Sequence, residues 1–406
     1  MQAVILIPER AAFRSYPDAE GVLTRKIAGV PLLVRVMATA ARAGADKFLV
    51  MWPPDVDESI WYRCATSPLL EGLQIRRLVW RFDPAQSANW AFLAPALEAQ
   101  FLWLPWNWVT HKRALAESAT WAVQTTAWDV PALVETAAPL SARRQAVEGV
   151  PITPSTATAK AERFLVAHAG KPSDGIYSRF NRLLCRPAVR LLTHTPVTPN
   201  LVTLGGLVVA IFAALMYSRG FYFAYVGGAL LFFLSGLFDE ADGMLARIKF
   251  RESVFGTWFE GFVDEATYLL LFWGITAGLY RERGPRELAY GALLLIGTAL
   301  SIAVTRLQRK LATAPGRPHE YAGRLNRLLE SDSNLVSRIV RQIHIFIKKG
   351  VVVHYLVIFT VLGGLPWLLR LGAFGANLTW TLALYFNRRF FRRGNADAGV
   401  REAQIA

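Results

Sequence analysis

Between residues 201 and 387 the sequence alternates apolar stretches with short polar breaks. The stretches lie at about 201–218, 221–238, 256–280, 288–305, 350–369 and 371–387, the last being the shortest. A helix rises 1.5 Å per residue, so roughly 20 apolar residues match a hydrocarbon core about 30 Å thick. In lipid such a segment must satisfy its own backbone hydrogen bonds, and only a helix or a closed barrel does that. The pattern predicts an α-helical membrane protein of six transmembrane helices, preceded by a soluble α/β region.

Charge orients that bundle. The 406 residues carry 45 Lys+Arg against 30 Asp+Glu, a formal net charge of +15. Beside apolar spans such an excess points to basic loops facing anionic lipid or holding phosphorylated substrates, and no nucleic-acid partner is expected. Six spans put both termini on one side. The stretch from Lys160 to Arg190, the segment 247–251, the loop 306–349 with ten Lys/Arg, and a tail with Arg388, Arg389, Arg392 and Arg393 share that side. The other side holds Arg219, Arg281, Arg283, Arg286 and Arg370. The positive-inside rule therefore predicts a multi-pass protein of the cytoplasmic membrane, with its N-terminal region and tail in the cytoplasm.

Residues 1 to about 150 read as α/β. "AVILIP", "KFLVMW", "LQIRRLVW" and "FLWLPW" are short strand-like runs, and "GVPLLVRVMATAARAGA" has helical periodicity closed by a glycine. The run at the N-terminus reads as a strand and not as a signal peptide. Residues 151–160, "PITPSTATAK", read as a linker. From Ala161 to Arg190 the pattern is amphipathic and basic, as expected of a helix lying on a membrane surface, with a solvated helix as the alternative. The expected division is 1–150, 151–190, a membrane domain at 191–390 and a basic tail at 391–406. Cys64 and Cys185 are the only cysteines, and with six scattered histidines they suggest neither a disulfide framework nor a zinc site.

The chemistry is concentrated in "DEADGMLARIKFRESVFGTWFEGFVDE", residues 239–265. Ionisable groups at membrane depth cost roughly 2.5–3.5 kcal/mol each on insertion scales, so a cluster at two span ends calls for a function. Asp239 and Asp242 are three apart and share one helix face. Gly256, Glu260 and Asp264 are four apart and form one stripe of the next helix. Four converging carboxylates repel one another and need cations. Hard divalent ions such as Mg²⁺ or Mn²⁺ bind carboxylate and phosphate oxygens, and two of them can clamp a diphosphate. Gly243, Ala246 and Gly256 leave room for a bulky ligand, and Arg247 offers a planar fork for phosphate. Snorkelling surface charge, the plain alternative, suits one aspartate better than a whole stripe.

This stretch resembles the signature of the CDP-alcohol phosphotransferases, D-x-x-D-G-x-x-A-R-x(8)-G-x(3)-D-x(3)-D, with every spacing kept. Glu260 stands where that family has aspartate, one methylene longer. The upstream "TPVTPNLVTLGG" at 195–206 is similar to the family's lead-in to its first span, and the resemblance covers about 160–390. It implies a fold of six membrane helices and transfer of a substituted phosphate from a CDP-alcohol donor to a hydroxyl acceptor, releasing CMP. It further implies that Asp239, Asp242, Glu260 and Asp264 hold two divalent cations and that Asp264 deprotonates the acceptor. Asn200, Thr203, Gly243, Ala246, Arg247 and Gly256 would line the donor, and Arg179 and Arg182 would meet a phosphate on the acceptor. Membrane lipids are implied partners, and the family likeness admits a homodimer.

The segment "KIAGVPLLVRVMATAARAGADKFLVM" at 26–51 is similar to the opening of sugar-phosphate nucleotidyltransferases. The fusion resembles the bifunctional inositol-1-phosphate cytidylyltransferase/di-inositol-phosphate-phosphate synthases, as does "KPSDGIYSRFNR" at 171–182. Yet "ERAAFRSYP" follows the first strand with no glycine to let backbone cradle phosphate, and Asn107 stands where a metal-binding aspartate is expected. The expectation is a cytidylyltransferase-like domain without activity. Rival readings for the whole chain are an inactive membrane scaffold and a membrane protein that binds nucleotides or anionic lipids.

Overall fold

A computed structural model describes residues 1–16, 19–83, 86–98, 100–117, 122–124, 148–171, 175–312, 334 and 349–388. Most of the expected loop 306–349 and nearly all of the basic tail lie outside the described residues. The chain forms two compact units. The first comprises Met1–Lys171, Arg186–Thr198 and Met244–Glu252, and the second comprises Pro172–Cys185, Pro199–Gly243 and Ser253–Ala406.

The first unit is built on a five-stranded sheet. Its strands are β1 (Gln2–Leu6), β2 (Lys47–Trp52), β3 (Gln74–Val79), β4 (Gln100–Pro105) and β5 (Ala122–Gln124), in the order β3-β2-β1-β4-β5. β1 pairs in parallel with β2 and β4, and β2 with β3, so Val4 stands beside both Leu49 and Trp103. The four strand-like runs of the sequence are these four parallel strands, and β5 adds an antiparallel edge. The central strands are apolar on both faces, as parallel strands covered by helices require. Val4, Leu49, Met51, Trp90, Phe101 and Trp103 form one packed cluster. Helix α1 (Leu32–Arg42) buries every residue from Leu32 to Ala40. It is introduced by a hairpin, Lys26–Ile27 with Val30–Pro31, whose turn residues Ala28 and Gly29 have φ of 48° and 80°. Two positive φ values are what a two-residue turn of that hand requires. Short helices α2 (Glu58–Ala65) and α3 (Ser87–Leu93) follow.

The segment expected to be one amphipathic stretch divides in two. Helix α4 (Thr158–Ala167) buries Ala161, Leu165 and Val166 within the first unit, so it is a core helix of the α/β domain and not a membrane-surface one. Helix α5 (Ile176–Thr193) keeps the expected character. It exposes Ile176, Tyr177, Phe180, Leu183, Leu184 and Leu191 alongside Arg179 and Arg186, a mixture that suits a lipid–water boundary.

The second unit consists of the first half of α5 with helices α6 (Pro199–Tyr217), α7 (Tyr222–Ile248, most of it), α8 (Val254–Arg283), α9 (Pro285–Ala312), α10 (Lys349–Val361) and α11 (Leu365–Phe386). Among the described residues, α6 to α9 are long and apolar enough to cross a membrane, which makes this a multi-pass membrane protein. Tyr217, Tyr225, Phe232, Leu271, Ile275 and Leu294 belong to one core that also takes in Val353, Leu356, Leu365 and Leu369. α10 spans 13 described residues, about 20 Å of helix. The break after it falls at Leu362–Gly364, with Gly363 at φ +71°, and not at residue 370. Arg370 therefore sits inside α11, where its guanidinium donates to Glu287 at 2.8 Å and lies over the rings of Tyr290 and Trp367.

Candidate active site

Two helix ends create the site. α7 continues past its apolar part through Asp239, Asp242 and Arg247 because Ala241, Met244, Leu245 and Ala246 are strong helix formers. It stops at Phe250, which has φ +57°. The N–H of Arg251 bonds to the carbonyl of Ala246 at 2.8 Å, and that of Phe250 to Arg247 at 3.4 Å. This is the Schellman closure, with phenylalanine in the place glycine usually takes. α8 then opens on Ser253, whose Oγ accepts the N–H of Gly256 at 2.9 Å. Gly256, Glu260 and Asp264 follow along α8.

Carboxylate oxygens of Asp239, Asp242 and Glu260 lie within 4.8 Å of one another. Asp264 joins Asp239 and Asp242 in lining a small cleft, together with Thr203 and Ser235. The four carboxylates predicted from spacing are thus gathered by two helices within the second unit. Asp242 is 3% exposed and Thr203 7%, and the Thr203 hydroxyl donates to the Asp242 carboxylate. A carboxylate so buried needs fixed donors or cations around it. An all-oxygen donor set drawn from two rigid helices fits a hard divalent cation, whose ligand oxygens stand about 2.0–2.6 Å from the ion. Asn200 stands against Gly256: a Cβ at position 256 would come within 3.2 Å of the Asn200 Oδ1.

Other predicted residues are placed differently. Gly243 ends the part of α7 that belongs to the second unit, whereas Ala246 and Arg247 belong to the first. The Arg247 Nε donates to the Ala169 carbonyl at 2.5 Å. Arg182 donates to Glu240 at 2.7 Å, both side chains being mostly buried, and Arg179 on the same helix is exposed. Sequence reasoning missed Glu240. One residue from Asp239, it is turned about 100° around the helix and leaves the stripe that spacing picks out.

A second cluster lies in the first unit, where His111, Glu148 and His168 come together. The His111 Nδ1 accepts the N–H of Ala114, so in the neutral ring Nε2 carries the proton and donates to Glu148 at 3.4 Å. His168 stands 2.7 Å from Glu148 and donates from Nδ1 to the Phe164 carbonyl. The two rings are stacked within 10° of parallel with centroids 5.1 Å apart. One ion cannot lie in both ring planes, so this is a hydrogen-bonded clasp and a poor metal centre. Burial holds the His111 imidazole below the usual histidine range.

Residues 196–383 match the family model described as CDP-alcohol phosphatidyltransferase. The chain is also similar to the archaetidylinositol phosphate synthase of Methanothermobacter thermautotrophicus. The two are 32% identical over 106 residues, 26% of this chain and 53% of that protein. The chain therefore spans about half the length of the curated relative it matches.

Proposed function

We propose, from the match of residues 196–383 to the CDP-alcohol phosphatidyltransferase family model, that this chain is an integral membrane transferase. It moves a substituted phosphate from a CDP-alcohol to a hydroxyl acceptor. One observation carries the reading: within the matched residues, Asp239, Asp242 and Glu260 draw together beside the cleft that Asp264 lines. Asp239, Asp242, Glu260 and Asp264 would hold two divalent cations, Mg²⁺ or Mn²⁺, against the donor's diphosphate. Bound there, the cations would neutralise charge on the phosphate oxygens and on the departing CMP. Asp264 takes the proton of the acceptor hydroxyl, for which hydrogen-bond reach suffices. The acceptor oxygen bonds to the phosphorus bearing the alcohol, the bond from that phosphorus to the bridging oxygen breaks, and its electron pair leaves with CMP. Thr203 orients Asp242, and the smallness of Gly256 admits the donor next to Asn200.

The name of the matched relative supports a CDP-activated lipid as donor and an inositol phosphate as acceptor, in lipid or inositol-phosphate biosynthesis. The basic residues assigned to one side favour the cytoplasmic membrane with the α/β domain inside the cell. Purified protein incubated with Mg²⁺ or Mn²⁺ and a panel of CDP-alcohols should release CMP. Asp239→Asn and Asp242→Asn should lower that release by at least 100-fold, a loss of about 2.7 kcal/mol or more of barrier stabilisation. Normal CMP release from either variant would sink the two-cation reading.

A further inference from the structure

The α/β domain has no part in the chemistry proposed above, yet its side chains close on one short piece of chain, Met244–Glu252, which belongs to the same compact unit. That piece is the last turn of α7 and the link into α8. Asp242 lies just before it and Glu260 two turns beyond it.

The grip is made of cations. Arg35, 1% exposed, donates from Nε to the Ile27 carbonyl at 3.0 Å and from Nη2 to the Ile248 carbonyl at 3.0 Å. Arg42 donates from Nη2 to the Phe250 carbonyl at 2.8 Å. The end of a helix leaves such carbonyls without intrahelical donors, and here two arginines of α1 supply them. The same guanidiniums lie over the Phe250 ring, 5.0 Å and 4.5 Å from its centroid. Arg42 and Lys112 also face Glu252, at 3.8 and 3.6 Å. Phe250 holds a positive φ, where an aromatic residue persists only if its surroundings determine it. A buried guanidinium at Arg35, a half-buried one at Arg42 and a phenylalanine in a glycine position are expensive features for a link whose only task is to connect two helices.

We propose that the α/β domain is a positioning element for the transfer site. Through Phe250 and the carbonyls of Ile248 and Phe250, Arg35 and Arg42 fix the turn that joins α7 to α8. They thereby fix how Asp239 and Asp242 meet Glu260 and Asp264. This assigns the domain a task that needs no nucleotide chemistry of its own. The consequence for turnover rests on the transfer reading, and the geometric claim does not.

The test uses the full chain in lipid nanodiscs and three variants. Arg42→Ala removes one clamp. Phe250→Gly removes the ring while suiting the positive φ, so it does not strain the turn it loosens. Arg42→Lys keeps a cation and a donor. Hydrogen exchange is followed over residues 239–264 and over β1, β2 and β4. In Arg42→Ala and Phe250→Gly the turns carrying Asp242 and Glu260 should exchange at least tenfold faster while the sheet keeps its protection. Arg42→Lys should restore part of the native protection. Affinity for Mn²⁺, read by the spectrum of the free ion, should fall by about tenfold, as for other groups that orient metal ligands. Faster exchange confined to residues 249–253 in both variants would overturn the proposal. A native protein that released no CMP would remove the transfer reading, yet exchange would still decide this one.

Discussion

Glu260 brings its carboxylate to Asp239 and Asp242 on a side chain one methylene longer than the aspartate of the resembled signature. A longer arm moves the ligand oxygen along the helix stripe, so the ions must shift or be slightly larger. Mg²⁺ demands near-ideal octahedral geometry at 2.0–2.1 Å, and Mn²⁺ is the larger and more tolerant ion. The native protein should therefore turn over faster with Mn²⁺ than with Mg²⁺. Glu260→Asp should stay active and move the preference toward Mg²⁺, and Glu260→Gln should lose activity by roughly 100-fold or more as a charged ligand disappears. Rates of CMP release in the two metals decide the matter, and a Gln variant as active as the native protein would show that residue 260 binds no ion. At this scale the sequence was informative where periodicity carried the signal. Spacings of three and four aligned Asp239 with Asp242 and Glu260 with Asp264. It was silent where partners come from distant elements. No spacing rule pairs Thr203 with Asp242 or Arg182 with Glu240, because the partners of each pair stand on separate helices far apart in sequence.

Of the two acid-bearing helices, α8 is placed by small residues further along it. Gly274 and Gly278 of α8 lie so close to the backbone of α6 that a Cβ at either would overlap a carbonyl, that of Ala214 or that of Tyr217. Small residues at such crossings let backbones meet in a membrane, where apolar burial alone does not drive helices together. α6 carries Thr203 and Asn200, and α8 carries Glu260 and Asp264. Gly278→Leu should force the pair apart at a cost of about 1–3 kcal/mol, lowering the melting temperature in detergent and weakening Mn²⁺ binding together. Unchanged melting would mean that the crossing is looser than its contacts indicate. Helix composition was legible as far as α9. The break between the last two helices was misread because Arg370 looked like a polar gap. Its charge is neutralised by Glu287, 83 residues away in sequence, and shielded by two aromatic rings. Gly363 and Gly364 were the better signal, since a glycine at positive φ ends a helix. The α4 segment was misassigned for a similar reason. Its basic and apolar residues resemble a membrane-surface helix until the paired segments Trp108–Thr110 and Gly149–Pro151 pack against it, with Ala161 and Leu165 buried.

Across the whole molecule, the first unit has the strand order and parallel pairing of a nucleotide-handling α/β domain, and among the described residues the segment after β1 has no glycine. After β1 the chain runs through Ile7, Pro8 and Glu9 directly into a short helix, Arg10–Phe13. The N–H of Arg10 already donates to the Asp55 carboxylate at 3.1 Å, and Glu9 pairs with Arg81 at 2.9 Å. A triphosphate brought to this edge would meet two protein carboxylates and no glycine backbone to approach. Asn107 has also left the role expected of a metal ligand. Its Nδ2 donates to the Ile152 carbonyl at 2.8 Å, and its own carbonyl accepts the Ile152 N–H at 2.7 Å. The side chain thus extends the pairing of Trp108–Thr110 with Gly149–Pro151. An amide also carries no charge with which to hold a divalent ion. The full chain, given CTP, Mg²⁺ or Mn²⁺ and a range of sugar or cyclitol phosphates, should form pyrophosphate no faster than heat-denatured protein. Pyrophosphate is not a product of CDP-alcohol transfer, so the measurement isolates the first unit even in a fully active enzyme. Steady pyrophosphate formation would instead mean that backbone N–H groups of another loop cradle the phosphates and that the protein makes a nucleotide-activated substrate as well as consuming one.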